Sequence, residues 1–391
     1  MERRWDAVIV GAGVAGACLS ALLARRGWRV ALIDAASFPR QKVCGEHLDG
    51  RAQELFASWG VRQSVVDGAV SLNTVSLVLG NGSRLSAPVA AGHGETIAIS
   101  RHTLDEQLVK VAIDAGVAFF PDCRIRDVLI EGDRICGVES GDLRFRAAVT
   151  IAADGRESIV VRKTGRITRR GQPRVGFKRH VEQNPTDPIV HRDELGMFSL
   201  PQGYLGVAPV GAGSLNLCGV IPGRMIKAAG GLKPALQAWT RDHPALQRHV
   251  MAEGSCWWTV PRVQTQAARP SYSGVLYIGD ARGTIEPLAG QGMLMGLASV
   301  DLAYRALTDH GEPALKPAAQ QAYDQAWDRL FGGSIELARF WAKLVGRPRL
   351  LLAAATIDHV RRGSAQNIFR WCYQRAGDAM PGLQSLDSGG A

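Results

Sequence analysis

A strand that runs directly into a turn of spaced glycines constrains this chain more than any other feature. The apolar run Ala7-Val8-Ile9-Val10 meets Gly11-Ala12-Gly13-Val14-Ala15-Gly16, and a second apolar run, Val30-Ala31-Leu32-Ile33, closes on Asp34. In a βαβ unit of this kind Gly11 makes the tight turn, Gly13 lets backbone approach a pyrophosphate, and Gly16 lets helix and strand pack closely. The helix that follows turns its free N–H groups toward the phosphates. Asp34 is placed to take the ribose hydroxyls. Strand, glycines, helix, the Gly27 turn, second strand and acid all stand at the required spacing, so the pattern predicts a dinucleotide site.

Length and charge narrow the classes. At 391 residues, 46% of them hydrophobic, the chain is long enough for two or three domains with real cores. Its net charge of +10 comes from arginines scattered along the sequence rather than from a run of like charges, which argues against nucleic-acid binding. A diffuse positive field suits an anionic cofactor, substrate or carrier, or an acidic membrane surface. Seven cysteines are dispersed and include no CxxC pair, which argues against a disulfide framework and a structural zinc site. The nine histidines form no HxxxH or HxH pair, and no metal site is expected. The first apolar stretch is spaced for a phosphate turn rather than a signal peptide, and no apolar run nears the roughly 20 residues of a spanning helix, so the expected location is cytoplasmic.

Along the chain, residues 1 to about 70 read strand, helix, strand, loop, helix. Alternating pieces such as Thr74-Val75-Ser76-Leu77-Val78-Leu79 predict antiparallel strands, and a helix is expected over 103–115 with Leu104, Leu108, Val111 and Ala112 on one face. Residues 171–262 are strand-rich and broken by Gly and Pro, which predicts a second sheet domain. Val275-Leu276-Tyr277-Ile278 is a further buried strand, followed by Gly279-Asp280 and a helix over 293–307. The last eighty-odd residues read as amphipathic helix, with Tyr323, Trp327, Phe331, Phe340 and Trp341 on apolar faces.

Three separated elements converge on one cofactor: the first glycine turn, Ala153-Asp154-Gly155-Arg156, and Gly279-Asp280 with Pro287, Gly290 and Gly292 behind it. Together they resemble the flavoprotein family of para-hydroxybenzoate hydroxylase, the flavin-dependent halogenases and the geranylgeranyl reductases, over roughly residues 5 to 310. The resemblance implies FAD, with Asp280 holding the ribityl chain and the helix opened by Gly292 and Met293 pointing at the flavin ring. A helix N-terminus carries partial positive charge and free N–H donors, which suits a reduced flavin. Gly290 and Gly292 would let backbone lie against the flat ring. Asp154 and Gly155 match an element associated in the family with FAD and NAD(P)H, and Arg101 matches an arginine that reaches the pyrophosphate, where a guanidinium fork suits phosphate oxygens.

The loop from Phe38 to Glu46, with Lys42, Cys44, Gly45 and Glu46, sits where family members pass beside the flavin, and its Cys-Gly-Glu is similar to that of archaeal geranylgeranyl reductases. The resemblance makes Cys44 a candidate proton donor and Glu46 a positioning group, beside the plainer reading of Cys44 as a small apolar filler. Departures are equally informative. Where the reductases carry Tyr-x-Trp-x-Phe-Pro along a prenyl channel, this chain has Tyr204-Leu205-Gly206-Val207-Ala208-Pro209, keeping Tyr204 and Pro209 and losing both middle aromatics. The halogenases' Trp-x-Trp-x-Ile-Pro element and catalytic lysine are not evident. Trp257 and Trp258 either wall a substrate pocket or belong to the sheet core, the latter favoured.

The fold expected is α/β: a Rossmann-like FAD-binding domain of the glutathione-reductase type in three pieces (1–72, 98–170 and 262–310), an inserted antiparallel sheet domain for substrate (73–97 and 171–261), and a helical C-terminal region (311–391). The leading functional expectation is a single-component monooxygenase. NAD(P)H would reduce the flavin, and a C4a-hydroperoxide would hydroxylate or epoxidise an apolar or aromatic small molecule, possibly lipid-like or carrier-bound. The alternative is a geranylgeranyl-reductase-like enzyme that reduces or desaturates carbon–carbon bonds, and a third reading is an FAD-binding scaffold or sensor without turnover. Around Phe340 and Trp341 the basic residues Arg339, Lys343, Arg347 and Arg349 allow membrane-surface docking, with a packed helical cap favoured.

Overall fold

The computed structural model describes residues 2–89, 94–169, 173–184, 188–211, 213–253, 256–309 and 313–351. Its first sheet is ordered Ala118–Phe120, Val30–Ile33, Glu2–Val10, Leu143–Ala152, Arg134–Ser140 and Asp127–Glu131. The first four of these run parallel, and Val275–Tyr277 pairs in parallel with the last three residues of the long strand Leu143–Ala152. Both faces of the central strand are covered: Ala7 and Ile9 enter one core cluster, Val8 and Val10 the other. That explains why the strand reads as a continuous apolar run rather than an alternating one.

Helix Val14–Arg25 fills one face with Arg101–Asp114 and Gly292–Thr308 beside it. Ser100 caps the Arg101 helix, its hydroxyl accepting from the Thr103 N–H at 3.2 Å. The expected helices over 103–115 and 293–307 and the strand Val275–Tyr277 are all found, with ends shifted by a residue or two.

The second sheet is ordered Trp258–Pro261, Arg174–Glu182, Ser214–Pro222, Gly203–Pro209, Glu194–Leu200, Thr74–Val78 and Arg84–Pro88. Its pairings are antiparallel except one: Thr74–Val78 runs parallel to Glu194–Leu200. The 74–88 hairpin arrives from the first domain rather than through a tight turn, so nothing in its connection imposes antiparallel pairing. One face of this sheet is covered by helices Gly223–Ala228, Leu232–Trp239 and Pro244–Met251, which pack Leu236, Trp239, Leu246 and Val250 onto Phe177, Leu205 and Leu217. The strand-rich expectation for this segment missed those helices. They are short, and Gly230, Gly231 and Pro244, which read as loop signals, in fact separate and start them.

Helix Pro317–Val345 is built into the first domain's core. Trp327, 1% exposed, lies against Gly283, with the Arg282 guanidinium 4.9 Å from its ring centroid. Arg282 is itself paired with Asp324 at 3.3 Å and Asp328 at 3.1 Å, and the Tyr323 hydroxyl donates to the Tyr277 carbonyl at 2.7 Å. At its far end the helix is tied to the second sheet, the Ser199 hydroxyl donating to the Val345 carbonyl at 2.6 Å. Phe340 faces outward, 60% exposed. The expectation for the C-terminal helices past residue 351 lies outside the described residues, and among those described no helix is long and apolar enough to cross a membrane.

Because Trp327 joins the late helix to the segment that follows Val275–Tyr277, Trp327→Ala should destabilise the whole first domain by about 3–5 kcal/mol. Chemical denaturation followed by circular dichroism checks this; a midpoint equal to wild type would show that the helix is an independent cap.

Candidate active site

A cleft of about 1090 Å³, counting the part open to solvent, lies between the carboxyl ends of the parallel strands and the inner face of the second sheet. This is where an open α/β sheet takes its ligand. Gly11 has φ +103°, and a Cβ there would sit 2.4 Å from the Ala153 carbonyl oxygen; at Gly16 it would sit 1.9 Å from the Gly11 oxygen. These two glycines are therefore dictated by backbone packing. Gly13 is different: among the described residues, the only atoms within 4 Å of a Cβ there are Nη2 of Arg40 at 3.6 Å and of Arg101 at 3.7 Å. It leaves an open floor between two guanidinium groups.

Asp34 closes the turn from below. Its Oδ2 accepts from the Ala12 N–H at 2.8 Å and its Oδ1 from the Ala36 N–H at 2.9 Å, with Arg40 3.7 Å away. Each oxygen keeps a lone pair for a further donor.

Positive charge converges on the same end. Arg101 is buried and makes a bidentate pair with Asp105 at 2.7 and 2.8 Å, and Arg40 approaches the same carboxylate at 3.4 Å. Burial alone would loosen the Arg101 proton, but the Asp105 charge more than offsets this and raises the guanidinium above its ordinary range. Opposite, Asp280 is shared by Lys42 at 3.8 Å and Arg156 at 3.4 Å. Burial pushes the Asp280 carboxyl up, while Lys42, Arg156 and Arg101 pull it further down, so it stays ionised. Lys42 is pushed below the usual lysine range by burial and by Arg101 beside it.

Asp154 stands at a helix start beside the cleft. Its Oδ2 accepts from the Ile159 N–H at 2.8 Å at the start of helix Ile159–Thr164, so the carboxylate orders that turn, and burial raises its pKa. Gly155 and Arg156 are the parts of the motif that line the cleft. Pro287, Gly290, Gly292 and Met293 line it as well. Gly290 carries a further constraint: its φ is +67°, and a Cβ there would lie 2.9 Å from Nδ1 of the buried His47. Among the described residues nothing lies within 4 Å of a Cβ at Gly292, where the helix start opens onto the cleft.

The loop ending in Glu46 is pinned on three sides. Asn216 donates to the Cys44 carbonyl at 2.9 Å, the Ile99 N–H to the Glu46 carbonyl at 3.0 Å, and the Glu46 N–H points at Cys44 Sγ at 3.4 Å. The Glu46 carboxylate is fully buried. It accepts from the Arg101 backbone N–H at 2.7 Å, from Lys178 Nζ, and from His180 Nε2 at 2.7 Å. Burial would raise its pKa, but the His180 hydrogen bond and the Lys178 cation hold it below the usual carboxylate range. Strand alternation carries Gly176, Lys178 and His180 to one side of Arg174–Glu182.

The four residues suggested for substrate do not gather. The Tyr204 hydroxyl, in a buried side chain, donates to Glu286 at 2.7 Å; that carboxylate also accepts from Arg174 at 3.1 Å and Gln264 at 2.7 Å. Burial and the Glu286 charge keep Tyr204 protonated. Pro209 ends a strand and is buried. Trp257 packs edge-on to Phe177 at 5.6 Å, and Trp258 stands near Lys178 and His180.

Sequence reasoning missed Arg40, His47, Arg156, Lys178, His180 and Glu286. Only Arg156, adjoining Asp154-Gly155, carried a local signal. Burial lowers the His47 pKa and keeps its ring neutral at pH 7; the ring lines the cleft with Nε2 without a partner among the described residues. An orphaned imidazole nitrogen, an unfilled glycine floor and a surplus of buried cations fit an anionic dinucleotide with a polar ring system.

Comparisons with known proteins identify the family. The chain is 27% identical to Conditioned medium factor receptor 1 of Dictyostelium discoideum, over 93% of this chain and 75% of that protein. It is 28% identical to a menaquinone reductase of Mycolicibacterium smegmatis, over 90% and 87%. It is 25% identical to digeranylgeranylglycerophospholipid reductase 2 of Methanopyrus kandleri, over 85% of each. Among solved structures the flavin-dependent brominase Bmp2 superposes with a TM-score of 0.77 at 20% identity, over 96% of this chain and all of that one. A geranylgeranyl bacteriochlorophyll reductase-like protein of Thermoplasma acidophilum gives 0.70 at 19%, over 89% and 88%. Residues 4–310 match the FAD binding domain family along their whole length, and the chain belongs to that family.

Proposed function

We propose that the chain is an FAD-dependent reductase that adds two hydrogens across a carbon–carbon double bond of an apolar, isoprenoid-like substrate. FAD would lie with its pyrophosphate over Gly13 between Arg40 and Arg101, its ribityl chain by Asp280, and its ring toward His47 and the Gly292 helix start. Bound there, it supplies hydride chemistry that no side chain of this protein can provide. The protein's own part is to hold the cofactor's negative charge, exclude water and supply a proton. NAD(P)H is the reductant proposed, visiting without a second dinucleotide turn.

The observation that carries the reading is Glu46, a residue of the cleft wall whose buried carboxylate is held by two proton-bearing partners, Lys178 and His180. Double-bond reduction needs a proton for every hydride, and a dry cleft must provide it from the protein. Supporting this, the menaquinone and digeranylgeranylglycerophospholipid reductases match the chain over most of their length, and both names denote isoprenoid compounds. Monooxygenation is the second reading. It is favoured by strand Gly203–Pro209, where Gly206 and Ala208 stand in place of the reductases' aromatics.

Two outcomes are expected. Gly13→Val, which fills the floor between Arg40 and Arg101, and Asp280→Ala, which strips Lys42 and Arg156 of their counter-charge, should each weaken FAD binding at least about tenfold, or about 1.4 kcal/mol. Titration of apoprotein with FAD by flavin fluorescence measures this, and wild-type affinity in both would remove the cofactor assignment. With menaquinone as probe and NADPH as donor, mass spectrometry after air reoxidation of any quinol should show two hydrogens retained in the side chain; one added oxygen atom would establish the monooxygenase instead.

A further inference from the structure

Glu46, Lys178 and His180 form a unit that cofactor binding alone does not require. Neither the Glu46 nor the Lys178 side chain has exposed surface, whereas His180 keeps 20% of its own. Lys178 is held by Gln41 Oε1 at 2.9 Å and reaches the Lys42 carbonyl at 3.4 Å. Trp258 covers the pair, its ring centroid 5.9 Å from Lys178 Nζ and 6.3 Å from the His180 ring. The other titratable groups acting in this region are Cys44 and Cys218 on the cleft wall, with Arg156 and Arg101 beyond them. Burying charges costs several kcal/mol per ion, and apolar packing joins two domains at less cost. A carboxylate held by one buried ammonium and one imidazole that reaches solvent is a costly joint, and a sensible route for a proton.

We propose that this unit is the proton supply of the site: His180 takes protons from solvent, Glu46 passes them to the cleft, and the fixed charge of Lys178 stops the carboxylate from retaining them. The inference rests on the double-bond reduction proposed above. In that reaction the hydride brings both electrons to one alkene carbon, the π bond breaks, and the neighbouring carbon takes a proton. The hydride originates from NAD(P)H by way of FAD. The proton leaves Glu46, which is reloaded through His180 from water. Glu46 is the catalytic residue, and Lys178 and His180 are positioning residues that act through it.

The test uses the full chain loaded with FAD, as wild type, His180→Gln and Lys178→Met. Its first readout needs no substrate: the pH dependence of the FAD midpoint potential. The wild-type slope should be steeper than that of His180→Gln, because the unit gains a proton as the cofactor gains electrons. The second readout is the pH profile of menaquinone reduction. His180→Gln should be slower at least about tenfold above neutral pH, the gap closing in acid. Lys178→Met, lacking the cation that lowers the proton affinity of Glu46, should move its profile to higher pH. Equal slopes in wild type and His180→Gln, or a Lys178→Met profile that does not move, would overturn the proposal. Unequal slopes in a protein that leaves menaquinone unreduced would uphold the proton unit and sink the reduction reading.

Discussion

The structure depends on placing more positive than negative charge in a low-dielectric cleft without the cations driving it apart. Arg40 and Arg101 share Asp105, and Lys42 and Arg156 share Asp280, so each pair of cations is held by one carboxylate. Two unit charges 4 Å apart interact by about 4 kcal/mol at an effective dielectric constant near 20, so each sharing is strong enough to fix geometry. It does not neutralise the site. Asp34 adds negative charge at the turn, but its oxygens already serve the Ala12 and Ala36 N–H groups. The surplus is directed at Gly13, where there is no side chain to absorb it.

The same device joins the two domains. Glu286, on the loop between Asp280 and the Gly292 helix, reaches across to Arg174 and Tyr204 of the second sheet. Glu46, on the loop after the second strand, reaches across to Lys178 and His180. Both carboxylates come from the cofactor side, and both find their cations on the strand Arg174–Glu182. Removing one partner of such a buried pair costs about 3–5 kcal/mol, far more than the pair's net worth, so mismatched docking is penalised more than correct docking is rewarded. The joint thereby fixes where the second sheet sits over the cleft.

This division explains what was legible in the sequence. Gly11, Gly16 and Asp280 could be read because their constraints are local: a turn, a helix approaching a strand, an acid after a strand. Arg101 was legible as a helix-opening cation, though Asp105, four residues on in the same helix, defines its geometry. Lys178, His180, Arg174 and Glu286 were not legible, because each depends on a partner more than a hundred residues away that no period or motif announces. Gly290 shows the intermediate case. Its glycine was recognised, but a further constraint on it, the His47 ring, arrives from the other end of the chain.

Glu46 is where these constraints meet. Its φ of +60° lies in the left-handed region, which costs a residue with a Cβ something on the order of 1–3 kcal/mol and which Gly45, immediately before it, would adopt more cheaply. A glycine at position 46 would relieve the strain but remove the carboxylate on which Arg101, Lys178 and His180 converge. Two of the three donors that hold the carboxylate, Lys178 and His180, belong to the second sheet, so the strain is sustained in part by contacts that exist only when that sheet is docked. Backbone strain, buried charge and domain closure are thereby one coupled state at this residue. A chain that kept Glu46 without its partners would have reason to flip the peptide and release the carboxylate to water.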